Sequence, residues 1–102
     1  MESNIVNTLY NEAFEETLLL YAREKLNLLL TDKWVKLPFW HFEFLYNDIK
    51  IIIDGDRAFD ISLIIDGTKF YLFQYDRTVI KYNLTNTKNI VYQLDVLKKI
   101  LE

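Results

Sequence analysis

The amino-acid sequence predicts a single α+β domain over residues 1–102, with a long N-terminal helix, an antiparallel β-meander of about five strands and a C-terminal helix. Two observations support this fold class. Apolar residues recur at helical spacing near both ends of the chain, whereas through the middle they alternate with polar residues. Short turn signals such as Asp66-Gly67 separate the alternating segments, and turns of two residues join antiparallel neighbours.

The first element is a helix predicted over residues 4–30, with Ser3 or Asn4 as its N-cap. One side of this helix carries apolar residues three or four positions apart: Tyr10, Phe14, Leu18, Ala22, Leu26 and Leu29. Such a stripe is typical of a helix that packs against a core. Additional leucines widen it, so a helix that binds a partner is the alternative interpretation.

Strands follow where the apolar period changes to two. They are predicted at residues 38–46, 49–54, 58–66, 69–75 and 78–84. Pro38 has no N–H to donate to a ladder, which suits the start of an edge strand. The segments 40–53 and 59–72 share one pattern of aromatic, polar and apolar residues, and this raises the hypothesis of a duplicated hairpin with a cleft between its two copies.

The last element is a helix predicted over residues 88–101 and capped by Asn86 or Thr87. Its apolar stripe consists of Ile90, Leu94, Leu97 and Leu101. Lysines near the end of this helix suit the negative pole of the helix dipole.

Pairing across the short turns predicts two chemically different faces of the sheet. The expected core face carries Trp40, Phe42, Phe44, Tyr46, Ile49, Ile51, Ile53, Phe59, Ile61, Leu63, Ile65, Phe70 and Leu72. The expected solvent face carries His41, Glu43, Lys50, Asp54, Asp60, Ser62 and Lys69. The exception is KFYLFQY, residues 69–75, which is apolar on both sides and therefore predicts a second covered surface near the last two strands. The residues predicted to bind a partner there are Tyr71, Phe73, Tyr75, Ile80 and Tyr82.

Two groups of residues suggest chemistry. His41 is predicted to lie opposite Asp54, which indicates an exposed cross-strand pair, with a proton-transfer dyad as the alternative. Asp54, Asp56 and Asp60 suggest a calcium or magnesium loop, but Arg57 interrupts them and a tight turn accounts for their spacing. We therefore predict no catalytic residue, no metal ligand and no cofactor, and the chain is not expected to be an enzyme.

Composition narrows the classes of function. A net charge of −3 argues against nucleic acid as a partner, because phosphate binding relies on an excess of lysine and arginine. The absence of cysteine excludes disulfides, thiolate zinc sites and cysteine nucleophiles. The N-terminus has no basic segment followed by an apolar one, so a cytoplasmic protein without a membrane partner is expected.

Segments such as IKIIIDGDR and VIKYNLTNTKN, rich in Ile, Tyr, Asn and Lys, resemble in style the small orphan proteins of crenarchaeal filamentous viruses. The resemblance spreads over the chain and involves no motif, so it assigns no site residue. It implies expression in the cytoplasm of a host cell and a role in binding host or viral proteins.

The leading hypothesis is a non-enzymatic protein–protein interaction module. It would bind a peptide or a partner strand at a sheet edge or in the cleft between two hairpins, and a homodimer is one form of this. The alternative is a protein that stacks single-stranded nucleic acid on an aromatic sheet face, with Lys69 and Lys81 beside the rings.

Overall fold

The computed structural model describes residues 10–102. Its elements, in chain order, are helix α1 (Glu12–Leu26), strands β1 (Leu29–Lys36), β2 (Phe39–Tyr46), β3 (Ile49–Gly55), β4 (Phe59–Ile65) and β5 (Thr68–Tyr71), helix α2 (Leu72–Tyr75), a 3₁₀ helix (Arg77–Tyr82) and helix α3 (Thr87–Leu101). The strands form one antiparallel sheet in the order β1-β2-β3-β4-β5. The predicted α+β class with a five-stranded meander is thereby confirmed.

Asparagines flank helix α1 at both ends. The side chain of Asn11 accepts a hydrogen bond from the Phe14 N–H, and the predicted caps Ser3 and Asn4 lie outside the described residues. At the other end Asn27 adopts a left-handed conformation, with φ of 57°. This conformation is one that asparagine tolerates better than most residues, and it directs the Leu28 N–H back to the carbonyl of Ala22. The helix predicted over residues 4–30 was therefore wrong at its end, and it was also wrong at Tyr10 and Asn11, which precede α1.

The chain beyond Asn27 forms β1, a strand that the sequence reading missed. It pairs antiparallel with β2, from Leu29 opposite Leu45 to Lys36 opposite Phe39, with a bulge between Leu30 and Asp32. Pro38 lies in the two-residue turn between β1 and β2. Because β2 has a neighbour on each side, the prediction that Pro38 starts an edge strand was wrong: the edge strand is β1.

One face of the sheet, called the inner face, holds the core. Its fully buried members are Trp40, Phe42, Phe44, Ile51, Ile53, Ile61 and Leu63. Helices α1 and α3 both pack against this face in a single cluster of buried side chains. The Phe14 ring, for example, meets the Trp40 ring edge-on at 5.1 Å. The opposite, outer face carries the polar residues that alternation predicts, which confirms the assignment of faces with two exceptions: Ser62 is buried rather than exposed, and Leu72 belongs to α2.

The hairpin turns follow the sequence signals. Asp66 and Gly67 have φ values of 52° and 80°, the two positive values that a type I′ turn requires. The two similar hairpins, β2-β3 and β4-β5, are joined edge to edge, since β3 pairs with β4 from Lys50 to Gly55. They belong to one continuous sheet, so the expected cleft between them does not exist.

After Tyr71 the chain departs from the predicted strands at 69–75 and 78–84. Leu72–Tyr75 turn into α2, and Arg77–Tyr82 form the 3₁₀ helix. Local hydrogen bonds explain the change, because the Tyr71 N–H donates to the Gln74 side chain and the Thr78 N–H donates to Asp76. These bonds offer the backbone an alternative to a ladder, and the strand predictions there were wrong.

Helix α3 matches its prediction. Asn86 is its N-cap and accepts a hydrogen bond from the Asn89 N–H at 2.8 Å. Ile90, Leu94 and Leu97 are fully buried against the sheet.

Candidate functional site

The β1 edge, defined as strand Leu29–Lys36, is the most accessible regular element of the described chain. All eight residues are exposed, although several carry large apolar side chains. Trp34 is 46% exposed and Leu29 is 66% exposed. Leu37, in the following turn, and Phe39, the first residue of β2, are exposed as well. Edge strands in monomers are usually short, charged or covered, and β1 is neither short nor covered by any residue within 10–102.

Backbone geometry shows which groups of β1 face outward. The two-residue turn closes on the pair Lys36–Phe39, and a pair next to such a turn exchanges both of its hydrogen bonds. Hydrogen-bonded and non-hydrogen-bonded pairs alternate along an antiparallel ladder. Trp34 and Lys36 therefore bond to β2, whereas the N–H and C=O groups of Lys33 and Val35 face away from the sheet.

The second edge of the sheet, β5, is protected. It contains only four residues before α2 begins. By the same alternation the N–H groups of Lys69 and Tyr71 face outward, and the Tyr71 N–H already donates to the Gln74 side chain at 2.7 Å. The two edges of the sheet are therefore unequal: β1 is long and exposed, whereas β5 is short and the last of its outward N–H groups is already bonded.

One of the two lysines on β1 is paired within the fold. The Lys33 ammonium bonds to the carboxylate of Glu15 on α1. The hydrogen bond from Lys33, together with one from the Tyr10 hydroxyl, lowers the pKa of Glu15 below its usual range. This ion pair removes one of the like-charge barriers by which lysines discourage strand pairing.

A polar cluster on the outer face adjoins β1. The His41 ring stacks on the Trp34 indole at 5.5 Å and 9°. Its Nδ1 bonds to Asp54, as the predicted cross-strand pairing requires, and its Nε2 lies 3.0 Å from Glu43 and 3.9 Å from Asp32. Burial opposes the charged ring, but hydrogen bonds to Asp54 and Glu43 outweigh it and raise the pKa of His41 above the usual 6.5.

This cluster includes groups that bind metals. One ligand atom each from Asp32, His41 and Glu43 lies within 4.8 Å of the others, and imidazole and carboxylate are ligands of zinc. Asp54 could hold the ring in place from its other nitrogen. However, the His41 Nε2 already lies within hydrogen-bond distance of Glu43. Its contacts with Asp54 and Glu43 account for the raised pKa of His41 without any further ligand.

The three aspartates that suggested a cation site, Asp54, Asp56 and Asp60, make different contacts. Asp54 and Asp60 are cross-strand partners on the outer face. Burial, and then the neighbouring charge of Asp54, raises the pKa of Asp60. Asp56 instead accepts a hydrogen bond from the Ala58 N–H within the β3-β4 loop. The three carboxylates do not converge, and the tight-turn interpretation accounts for Asp56.

The five residues predicted to bind a partner do not share a sheet face. Tyr71 is the last residue of β5, and its ring stacks on that of Phe73. Phe73 and Tyr75 are exposed on α2, and Ile80 is exposed on the 3₁₀ helix. The Tyr82 ring lies 4.1 Å from that of Tyr92. Phe73 and Ile80 nevertheless meet at one groove, called the end groove, with a volume of about 350 Å³. It lies beside the start of β4 and is lined by Ala58, Phe59, Asp60, Ile61, Leu72, Phe73, Val79, Ile80, Asn83 and Gln93.

Sequence reasoning missed the exposed residues of β1, above all Trp34 and Val35. The available signal was the left-handed preference of Asn27 followed by TDKWVK, in which polar and apolar residues alternate. The run of leucines at 28–30 hid it, since leucines also fit the helical stripe.

Within residues 10–102, no helix has the length and apolar character that crossing a membrane requires. No family model matches this chain, and no curated protein or solved structure matches it either.

Proposed function

We propose that this protein is a non-enzymatic interaction module that binds a partner polypeptide by strand addition along the β1 edge. The observation that carries the proposal is the contrast between the two edges of the sheet. The β1 edge is eight residues long and exposed throughout, whereas β5 is four residues long and leads directly into α2. An added strand would therefore extend the sheet at β1.

Binding at β1 draws on two kinds of interaction. The outward N–H and C=O groups of Lys33 and Val35 supply four main-chain hydrogen bonds to a partner. Side chains on the two faces supply apolar contact, since Trp34 lies on the outer face and Val35 on the inner face of the same strand. In strand addition, the main chain provides affinity and the alternating side chains provide specificity.

Two of the five predicted contact residues, Phe73 and Ile80, form a second candidate contact surface beyond the opposite edge of the sheet. Phe73 and Ile80 line the end groove and are 40% and 50% exposed. They suit an apolar side chain from a partner, whereas Tyr82 is partly buried against Tyr92. We regard this groove as a secondary contact surface.

The alternative, single-stranded nucleic acid, has one supporting observation. Tyr71 stacks on Phe73 at 5.2 Å, and the Lys69 ammonium lies 5.1 Å from the Tyr71 ring. The same outer face, however, carries Asp32, Glu43, Asp54 and Asp60, whose charges repel phosphate. A salt-dependent mobility shift with oligonucleotides would support this alternative, and no shift at low salt would remove it.

The compartment and the class of partner are also proposals. A chain without cysteine suits the reducing cytoplasm, where disulfides do not persist. The stylistic resemblance to crenarchaeal viral proteins makes a host or viral protein the class of partner to test first.

Strand addition can be tested with matched proline variants. Val35→Pro removes an outward N–H and leaves the bonds to β2 intact, because proline is tolerated where its missing donor faces solvent. Lys69→Pro makes the same change at an outward position of β5 and serves as the control. We expect proteins captured from cell lysate by the wild type to be lost with Val35→Pro and kept with Lys69→Pro.

Hydrogen exchange on the captured complex completes the test. The amides of Lys33 and Val35 should become protected when the partner binds, since they are the groups that an added strand would bond. Capture that is insensitive to Val35→Pro, or a complex in which these two amides exchange as in the free protein, would contradict binding at the β1 edge.

A further inference from the structure

Resting on the proposed function, we infer that the partner of the β1 edge is the β1 edge of a second copy of this chain. The two strands pair antiparallel about a two-fold axis that passes through Trp34. This arrangement joins two five-stranded sheets into one continuous sheet. A two-fold interface requires a self-complementary surface, and β1 meets that requirement in its backbone, its charges and its shape.

Backbone geometry selects the register. The outward groups belong to Lys33 and Val35, so a register that uses all of them places Lys33 of each copy opposite Val35 of the other. Moving the axis to Lys33 would set the two lysines face to face and bring the bulge beside Thr31 into the ladder. Moving it to Val35 would use the turn residue Leu37. Only the axis at Trp34 pairs all the outward groups of the regular part of the strand.

Charge complementarity supports the same register. With the axis at Trp34, Asp32 of each copy lies directly opposite Lys36 of the other on the outer face. Opposite charges in directly facing positions stabilise an antiparallel pair. The Asp32 side chain is 56% exposed, so its carboxylate is accessible to a second copy. Because the symmetry repeats the contact, each dimer gains two such ion pairs.

Apolar contact lies at the centre. The two Trp34 residues face each other as a non-hydrogen-bonded pair, the kind in which the side chains of the two strands come closest. Each indole already stacks on its own His41, so the dimer forms a row of four rings across the outer face. The exposed 46% of Trp34 is the main apolar surface that this contact covers.

Shape permits the second copy to approach. Lys33 and Val35 lie on the inner face and stay partly exposed, so α1 covers this side of β1 only in part. A groove of about 530 Å³ opens beside Val35 on this side, lined by Tyr10, Asn11, Glu12, Glu15, Glu16, Leu19, Val35 and Leu37. Lys33 of the second copy lies opposite Val35 and therefore at the margin of this groove, while its ammonium stays paired with Glu15 of its own copy.

A charge exchange tests this register directly. Asp32→Lys and Lys36→Asp should each weaken self-association by about tenfold or more, because each turns two attractive contacts into repulsive ones. Mixing the two variants should restore association to about the wild-type level, since both facing pairs then have opposite charges. Sedimentation velocity over a range of concentrations measures this, and circular dichroism confirms that each variant is folded.

The proline variants separate this inference from the proposed function. Val35→Pro should abolish the dimer and Lys69→Pro should leave it unchanged. A wild type that stays monomeric at millimolar concentration would overturn self-pairing but leave strand addition to a different protein standing. A dimer that persists in Val35→Pro, or one that the mixture of charge variants fails to restore, would also overturn the inference.

Discussion

Gly55 is the position where the smallest change should have a large effect on stability. A Cβ placed on it would lie 2.7 Å from Cε2 of Trp40 and 2.8 Å from Cβ of Phe59, well inside the normal carbon–carbon contact of about 3.5–4.0 Å. Trp40 cannot easily yield, because it is 1% exposed and its Nε1 donates to the carbonyl of Asp56 at 3.2 Å. Gly55→Ala should therefore destabilise the fold by about 1–3 kcal/mol, the usual cost of overpacking a core.

Urea unfolding followed by far-ultraviolet circular dichroism measures this change. With a slope of about 1–3 kcal/mol per molar urea, a loss of about 2 kcal/mol lowers the midpoint by roughly 1 M. Gly67→Ala is the matched control, since a Cβ there meets open space and its cost of about 1–2 kcal/mol comes only from the positive φ of 80°.

Replacing the ring that causes the clash distinguishes the two mechanisms. Trp40→Phe removes the atoms nearest to the new Cβ, so Gly55→Ala should cost clearly less in that background than in the wild type. The cost of Gly67→Ala should not change. Equal costs of Gly55→Ala in both backgrounds, or a cost below about 0.5 kcal/mol in the wild type, would refute the packing of Trp40 against Gly55.

Three further predictions concern the outer face, the last helix and the end groove. The pKa of His41, measured by NMR titration, should lie above 6.5 and fall in Asp54→Asn. Because folding raises this pKa, the protonated ring stabilises the fold fully below pH 6.5, and this stabilisation is lost as the pH rises through the folded-state pKa. The difference in free energy of unfolding between wild type and Asp54→Asn should therefore shrink over the same pH range. Asn86→Ala should cost about 1 kcal/mol in urea unfolding, because it removes the N-cap of α3, and an unchanged midpoint would contradict that cap. Phe73→Ser combined with Ile80→Ser should weaken partner capture while leaving the free energy of unfolding within about 0.5 kcal/mol of wild type, and a destabilised variant with undiminished capture would show that these side chains are structural.

The parts of the fold that could be predicted are those governed by local alternation. The β2-β3 and β4-β5 hairpins follow from period-two patterns and short turns, and the pairing of His41 with Asp54 follows from their register. The neighbours Trp34 and Asp32 could not be placed beside His41, because that required knowing that β1 exists.

The errors arose where two local structures compete. Leu28–Leu30 continue the helical stripe of α1 and equally suit a strand, and the conformation of the single residue Asn27 decides between them. In RTVIKY, Val79 and Ile80 favour a strand, but the side chain of Asp76 caps the backbone and favours a 3₁₀ turn. The spacing of apolar residues contains no information on such hydrogen bonds, so a prediction based on it follows β propensity alone.

The position of β1 at the end of the sheet also bears on aggregation. It covers β2, whose sequence FWHFEFLY combines high β propensity with large aromatic side chains. If β1 detached, β2 would become an open edge of eight residues with Trp40, Phe42 and Phe44 on one side, a template for uncontrolled stacking. Strand β1 therefore protects β2 from pairing with other chains. Substitutions that loosen the β1–β2 pairing should lower the yield of non-aggregated protein before they lower the cooperativity of unfolding.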